Sequence, residues 1–271
     1  MKVASNGVAI HVEEKGKGDL SLVFLHYYGG SSRTWKHVTG KLSASFHTVT
    51  TDHRGWGESD APAGGYGLKD LAADAEGVIQ ALDLKRYVLV GHSMGGKVVQ
   101  LMASRRPKGL AGLVLVAPSP PSPMAIPPEV REMMVGAYAS RETVEATIDN
   151  VLTAKPLTPE DREQVIADSL RGASPAKIAW PKATSQEDIA ADVGKINVPI
   201  IVIAGELDKV EAVETLKKEL LSRIPPARLH IVPGTGHLSM LESPEEVTRL
   251  IGDFAKSVTG SIVAMISQQH Q

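Results

Sequence analysis

Cysteine is absent from this 271-residue chain. Its absence excludes a disulfide framework, a thiolate metal site and a cysteine nucleophile, and it fits a reducing compartment. An excess of either charge is missing too: 29 lysines and arginines stand against 31 aspartates and glutamates, a formal net charge of −2. No basic patch or charge run stands out, which argues against nucleic acid and anionic membranes as partners. No apolar stretch reaches the ~20 residues needed to span a bilayer. The opening residues Met1 to Gly7 carry no signal-peptide apolar region. These absences lead to the expectation of a soluble, cytoplasmic protein, with oligomeric state left open. What remains is ordinary for a globular chain and ample for a large core: 42% hydrophobic and 22% charged residues.

Short β-type runs alternate with helical patterns. The runs are Val8 to Glu13, Leu20 to Leu25, Phe46 to Thr51, Arg86 to Val90, Leu113 to Ala117, Val198 to Ala204 and Arg228 to Val232. Most are continuously apolar, as a parallel sheet buried on both faces requires. Helical patterns fall at Leu68 to Leu82, Gly95 to Arg105, Val210 to Ser222 and Pro244 to Ser257. The last opens with Ser243 as N-cap, Pro244 at the first position and Glu246 completing a capping box. This alternation predicts an α/β fold with a mostly parallel central sheet flanked by helices, and ligands bound beyond the carboxyl ends of the strands. The proline-rich stretch from Ala117 to Pro123 breaks the rhythm. From there to about Asp188 the patterns are helical, with helices over Pro128 to Ala139 and from Thr158 onward. The expected division is a core of residues 1–118 and 189–260, an inserted helical cap of 119–188, and a tail of 261–271 with no readable role.

Gly91-His92-Ser93-Met94-Gly95 is the most informative motif. It follows the apolar run Tyr87 to Val90 and precedes a helical pattern, so Ser93 falls on a sharp strand-to-helix turn. Such a turn lifts a serine hydroxyl clear of the sheet beside a helix N-terminus. A serine nucleophile needs a base, and the base needs an orienting acid. His237 is the candidate base, in the loop Pro233-Gly234-Thr235-Gly236-His237 after the last strand. Asp208 is the candidate acid, directly after the Val198-to-Ala204 run, with Glu206 and Glu211 as alternatives. Among the other histidines, His92 should point away from Ser93, His26 should bond loop backbone, and His53 and His230 read as surface or packing residues. The Met94 amide is the natural oxyanion donor, and a second donor should come from His26-Tyr27-Tyr28-Gly29-Gly30.

Together with Asp52-His53-Arg54-Gly55-Trp56-Gly57-Glu58-Ser59, these motifs make the chain from Val8 to Ser257 resemble the α/β-hydrolase superfamily, in particular its capped esterase and lactonase-like members. The resemblance implies an α/β-hydrolase fold and a Ser93–His237–Asp208 triad acting through an acyl-enzyme. It also implies Tyr28 as the second oxyanion donor and no metal or organic cofactor. Serine at position 93 separates the chain from epoxide hydrolases and haloalkane dehalogenases, whose relatives use aspartate there. Many relatives have glycine where this chain has Tyr27, so Tyr27 is expected to narrow the acyl pocket or share the donor role. Met124, Met133, Met134, Tyr138 and Trp180 would form an apolar roof over the site or pack the cap helices together. The expected function is hydrolysis of small ester or lactone substrates. The alternatives are hydrolysis of a carbon–carbon bond in a diketone-like ring-fission product, for which a cation should face the pocket, and a slow-turnover ligand sensor.

Overall fold

A computed structural model of the chain describes residues 1–224 and 227–268, with side chains described to Thr259. One sheet organises it. Its strands are β1 (Lys2–Ser5), β2 (Val8–Lys15), β3 (Ser21–Leu25), β4 (His47–Thr51), β5 (Tyr87–His92), β6 (Leu110–Val116), β7 (Ile200–Gly205) and β8 (Ala227–Val232). They lie in the order β1-β2-β4-β3-β5-β6-β7-β8. β2 runs antiparallel to both β1 and β4, and every other pair is parallel. Every residue of β3, β5 and β7 is buried, which is why those runs are continuously apolar. β2 is covered on one face only and alternates.

The helices follow from the same pattern. In chain order come α1 (Lys36–Leu42), α2 (Leu68–Ala81) and α3 (Met94–Ser104). Next, α4 (Pro128–Gly136), α5 (Arg141–Thr147), α6 (Pro159–Arg171) and α7 (Ser174–Lys182) fall between β6 and β7, where the described residues contain no strand. The chain closes with α8 (Ala190–Val193), α9 (Val213–Leu216), α10 (Ser239–Glu242) and α11 (Pro244–Gln268). Among the described residues no helix is long and apolar enough to cross a membrane.

Several expected boundaries move for local reasons. β6 ends one residue before Ala117, which adopts a left-handed φ of 40°. The helix expected over Val210 to Ser222 is α9 followed by a wider π turn at Lys217–Leu221. α11 runs past Ser257 to Gln268, because one glycine such as Gly260 costs a helix only about 1 kcal/mol. It absorbs much of the expected 261–271 tail, of which residues 269–271 lie outside the described residues. The expected capping box is replaced by other partners. The Ser243 hydroxyl bonds Thr235 (2.8 Å) and accepts from Lys155, while Glu246 pairs with Arg249.

The loop after β4 is pinned by two buried carboxylates. Asp52 accepts from the Ser32 amide at 2.5 Å and the Glu58 amide at 2.8 Å, tying this loop to the one after β3. Arg54 donates to both oxygens of Asp74 at 2.6 Å and to the Gly65 carbonyl at 2.7 Å. All three side chains are buried, so losing one partner of the Arg54–Asp74 pair would strand a charge at a cost of about 3–5 kcal/mol.

Candidate active site

Ser93 is the single residue between β5 and α3, with φ 52° and ψ −114°. Such angles cost a non-glycine residue about 1–3 kcal/mol and persist only where the surroundings enforce them. Here the Ser93 amide donates to Val116 of β6, and its carbonyl accepts from Lys97 and Ser119. The flanking glycines are steric necessities. A Cβ on Gly91 would sit 2.4 Å from the Gly95 carbonyl oxygen, and one on Gly95 would sit 2.6 Å from the carbonyls of Leu25 and His26. Ser93 is 5% exposed, and no hydrogen bond occupies its Oγ among the described residues.

His237 and Asp208 are brought together. The imidazole Nδ1 lies 2.8 Å from Asp208 Oδ2, and both residues are buried. Asp208 Oδ1 accepts from the amides of Val210 (2.7 Å) and Glu211 (3.0 Å). Burial pushes the Asp208 carboxyl up, but His237 and the two amides outweigh it and hold it below the ordinary aspartate value. No hydrogen bond joins His237 to Ser93 among the described residues. They are neighbours through His92, whose Nε2–H donates to the His237 carbonyl at 2.9 Å and whose ring lies 4.7 Å from that of His237. His92 is buried, and its ring packs against Tyr27 and Trp35 as well as His237. Its part in holding the His237 loop depends on a contact 145 positions away and has no signal in the sequence.

The alternative acids are otherwise engaged. Glu206 accepts from the Gly234 amide at 2.8 Å and so braces the loop that carries His237. Glu211 is buried, and desolvation raises its carboxyl well above the ordinary glutamate value. A carboxylate not foreseen, Glu242, accepts from the amides of Gly236, Ala154 and Lys155, joining the His237 loop to the helical insertion.

The loop after β3 is set by two histidines. His26 Nδ1–H donates to the Tyr27 carbonyl at 2.7 Å, and its Nε2 accepts from the His53 amide at 3.0 Å. Burial lowers the His26 pKa to about 4, so it stays neutral, as this bonding pattern demands. The Gly30 amide donates to the same Tyr27 carbonyl. Two donors therefore fix the peptide plane between Tyr27 and Tyr28, which turns the Tyr28 N–H to the opposite side. No hydrogen bond occupies the Tyr28 or Met94 amide among the described residues. The insertion grips this loop as well: Tyr138 Oη donates to the Tyr28 carbonyl (2.9 Å), Ser169 to the Gly29 carbonyl (2.9 Å) and Ser31 to Asp168 (2.8 Å).

A small cavity of about 10 Å³ touches Met94 and is walled by Trp180, Trp56, Tyr66, Arg54 and Leu71. Of the residues expected to contact substrate, Trp180 lines it and the others do not. Tyr27 packs into the core with its ring 5.1 Å from His92, which corrects its expected place in the pocket. Tyr138 is spent on the Tyr28 carbonyl. Met124 is buried where the insertion leaves the core, its amide donating to Ser185. Met133 is 71% exposed, whereas the Met134 carbonyl accepts from Tyr28 Oη. Among the described residues no group of three or more histidines, aspartates or glutamates could hold a metal ion.

Lys97, one turn into α3, has no exposure. Its ammonium donates to the carbonyls of Ser122 (3.0 Å) and Ser185 (3.3 Å), one on each chain crossing between core and insertion. Burial lowers its pKa to about 8, opposed by Glu211, Glu187 and Asp188. An unfolded lysine titrates near 10.4, so between the two values the unfolded state holds the extra proton and stability rises with pH. The expected result is that wild type gains stability relative to Lys97→Met from pH 8 to 10, measured by urea unfolding. A difference that is flat over this range would contradict the assignment.

The family model described as the alpha/beta hydrolase family matches residues 22–250. The chain is 26% identical over 260 residues to the AB hydrolase superfamily protein YisY of Bacillus subtilis, covering 92% of this chain and 96% of that one. It is 26% identical over 276 residues to a 2-hydroxy-6-oxononadienedioate/2-hydroxy-6-oxononatrienedioate hydrolase of Paraburkholderia xenovorans, covering 94% and 93%. Among solved structures, Est816, described as an N-acyl homoserine lactone degrading enzyme, superimposes with a TM-score of 0.83 at 27% identity, covering 94% of this chain and 100% of that one.

Proposed function

The chain belongs to the alpha/beta hydrolase family, and from that premise we propose that it is a serine hydrolase of small esters or lactones. In this reading His237 Nε2 takes the Ser93 hydroxyl proton as Oγ bonds to the substrate carbonyl carbon. The developing oxyanion is held by the Met94 and Tyr28 amides, an effect worth about 3–4 kcal/mol per donor. Collapse breaks the bond to the alcohol, which leaves with the proton from His237. Water, deprotonated by the same imidazole, then releases the acid and regenerates Ser93. Asp208 holds the Nδ1–H tautomer and stabilises the imidazolium without accepting its proton. In this reading the Ser93–His237 hydrogen bond forms around bound substrate, as catalytic hydrogen bonds often tighten there. The helices between β6 and β7 act as the cap.

The observation that carries the reading is the 2.8 Å Asp208–His237 pair beside a serine held at a left-handed φ. Ester or lactone cleavage is preferred to carbon–carbon cleavage because the arginine at the cavity, Arg54, is already ion-paired with Asp74 and bonded to the Gly65 and Asn6 carbonyls. With its charge balanced by Asp74 and four of its five N–H groups taken, it is a weak partner for the carboxylate that a ring-fission product usually carries. The expected outcome of a turnover screen is hydrolysis of p-nitrophenyl esters and of simple lactones, with no carbon–carbon cleavage of a carboxylated diketone. Efficient diketone cleavage with inert esters would reverse the assignment.

A further inference from the structure

An open groove of about 530 Å³ runs between residues 63–67 and α7. Tyr66, Ala179 and Thr184 line both this groove and the small cavity at Met94, so the two spaces share a wall. Within that shared wall Thr184 Oγ1 donates to the Tyr66 carbonyl at 2.8 Å. Resting on the serine-hydrolase reading, we propose that the groove is the chain subsite. The substrate is an uncharged ester or lactone whose carbonyl reaches Ser93 past the Tyr66–Thr184 wall, while an apolar chain stays in the groove.

Size, polarity and charge each point this way. The inner cavity holds about one water molecule, too little for a chain, whereas the groove falls in the range of pockets that enclose small organic ligands. Its walls are formed largely by apolar groups, among them Pro175, Ala179 and Ile178, a large aliphatic side chain left 43% exposed. Covering that side chain with substrate methylenes gains the transfer free energy that solvent exposure forfeits. The charged group on the lining is Glu187, whose Oε1 accepts from the Leu68 amide at 2.9 Å and would repel an anion. Arg54 at the inner cavity is already paired, and Arg131 of α4, whose Nε is buried without a partner, lines neither space.

The test compares kcat/KM for p-nitrophenyl octanoate and acetate, which place the chain on the acyl side, and for octyl and ethyl acetate, which place it on the alcohol side. In one series the long-chain ester should be favoured about tenfold or more. Ile178→Asp should lower that long-to-short ratio about tenfold, chiefly through KM, and Ile178→Leu should restore it. Ile178 is at the surface, so its substitution should spare the fold, and the long-to-short ratio measured on one preparation is independent of how much protein folds. The proposal is overturned by equal rates for long and short chains in both series. It is equally overturned by a preference that survives Ile178→Asp, or by a preference for a carboxylate-bearing ester that Arg131→Met abolishes. Labelling of wild type by a fluorophosphonate separates the two levels. A labelled enzyme without chain preference sinks the groove alone, and an unlabelled one sinks the serine-hydrolase reading.

Discussion

Ser93→Ala should fold as wild type does and lose ester hydrolysis by at least about a thousandfold. The two halves of this expectation have separate causes. The side chain contributes little to stability, because Ser93 Oγ has no hydrogen-bond partner to strand among the described residues. The left-handed backbone at φ 52° is strained to the same degree with either Cβ. The hydroxyl is nevertheless the atom that forms the acyl bond in the proposed mechanism, and nothing else near the turn replaces it. No cysteine exists in the chain. Thermal unfolding within a few degrees of wild type, together with collapsed turnover of p-nitrophenyl acetate, is the outcome that counts. A stable variant with full turnover would remove Ser93 from the chemistry.

Asp208→Asn should be almost as severe, on the order of ten-thousandfold in kcat near neutral pH. The geometry decides which way the new amide faces. Asp208 Oδ1 accepts from two backbone amides, Val210 at 2.7 Å and Glu211 at 3.0 Å, so the asparagine oxygen must stay there. Its NH2 then occupies the place of Oδ2 and donates toward His237 Nδ1 at the former 2.8 Å contact. That bond stabilises the tautomer with the proton on Nε2, which cannot accept a proton from Ser93. The loss should therefore fall on kcat with little change in KM, and folding should survive because every backbone donor keeps its acceptor. A loss below tenfold in kcat would show that Asp208 does not orient the base.

The parts of this protein legible from sequence are those whose causes are local. The Ser93 turn is written in five consecutive residues, and the strands on both sides of it are continuous apolar runs. β1 escaped because four residues of which two are exposed carry too little pattern to register. α1 and α5 are seven residues each, too short for a helical period to emerge. Around the site the division is sharper. Position along the chain suffices to place Asp208 and His237 at the strand ends, but not to reveal that His92, Glu206 and Glu242 hold the His237 loop. Those contacts join residues that only the folded sheet brings together. The insertion shows the same limit. Tyr138 and Met124 look like pocket residues on composition alone. Yet the Tyr138 hydroxyl is buried against the Tyr28 carbonyl and Met124 sits at the insertion's exit from the core. Tyr27, expected in the pocket because glycine is usual there, instead fills the space against His92 beneath its own loop. Lys97 gives no hint in sequence that its ammonium joins the two crossings at Ser122 and Ser185.

The central claim, an activated Ser93 beside His237, is tested most directly by intact-mass spectrometry after incubation with a small fluorophosphonate, with Ser93→Ala alongside. The predicted result is one covalent adduct on wild type and none on the variant. A folded wild type that takes no adduct would contradict the claim and favour a ligand-sensing role over catalysis. An adduct retained by Ser93→Ala would contradict it by moving the nucleophile elsewhere.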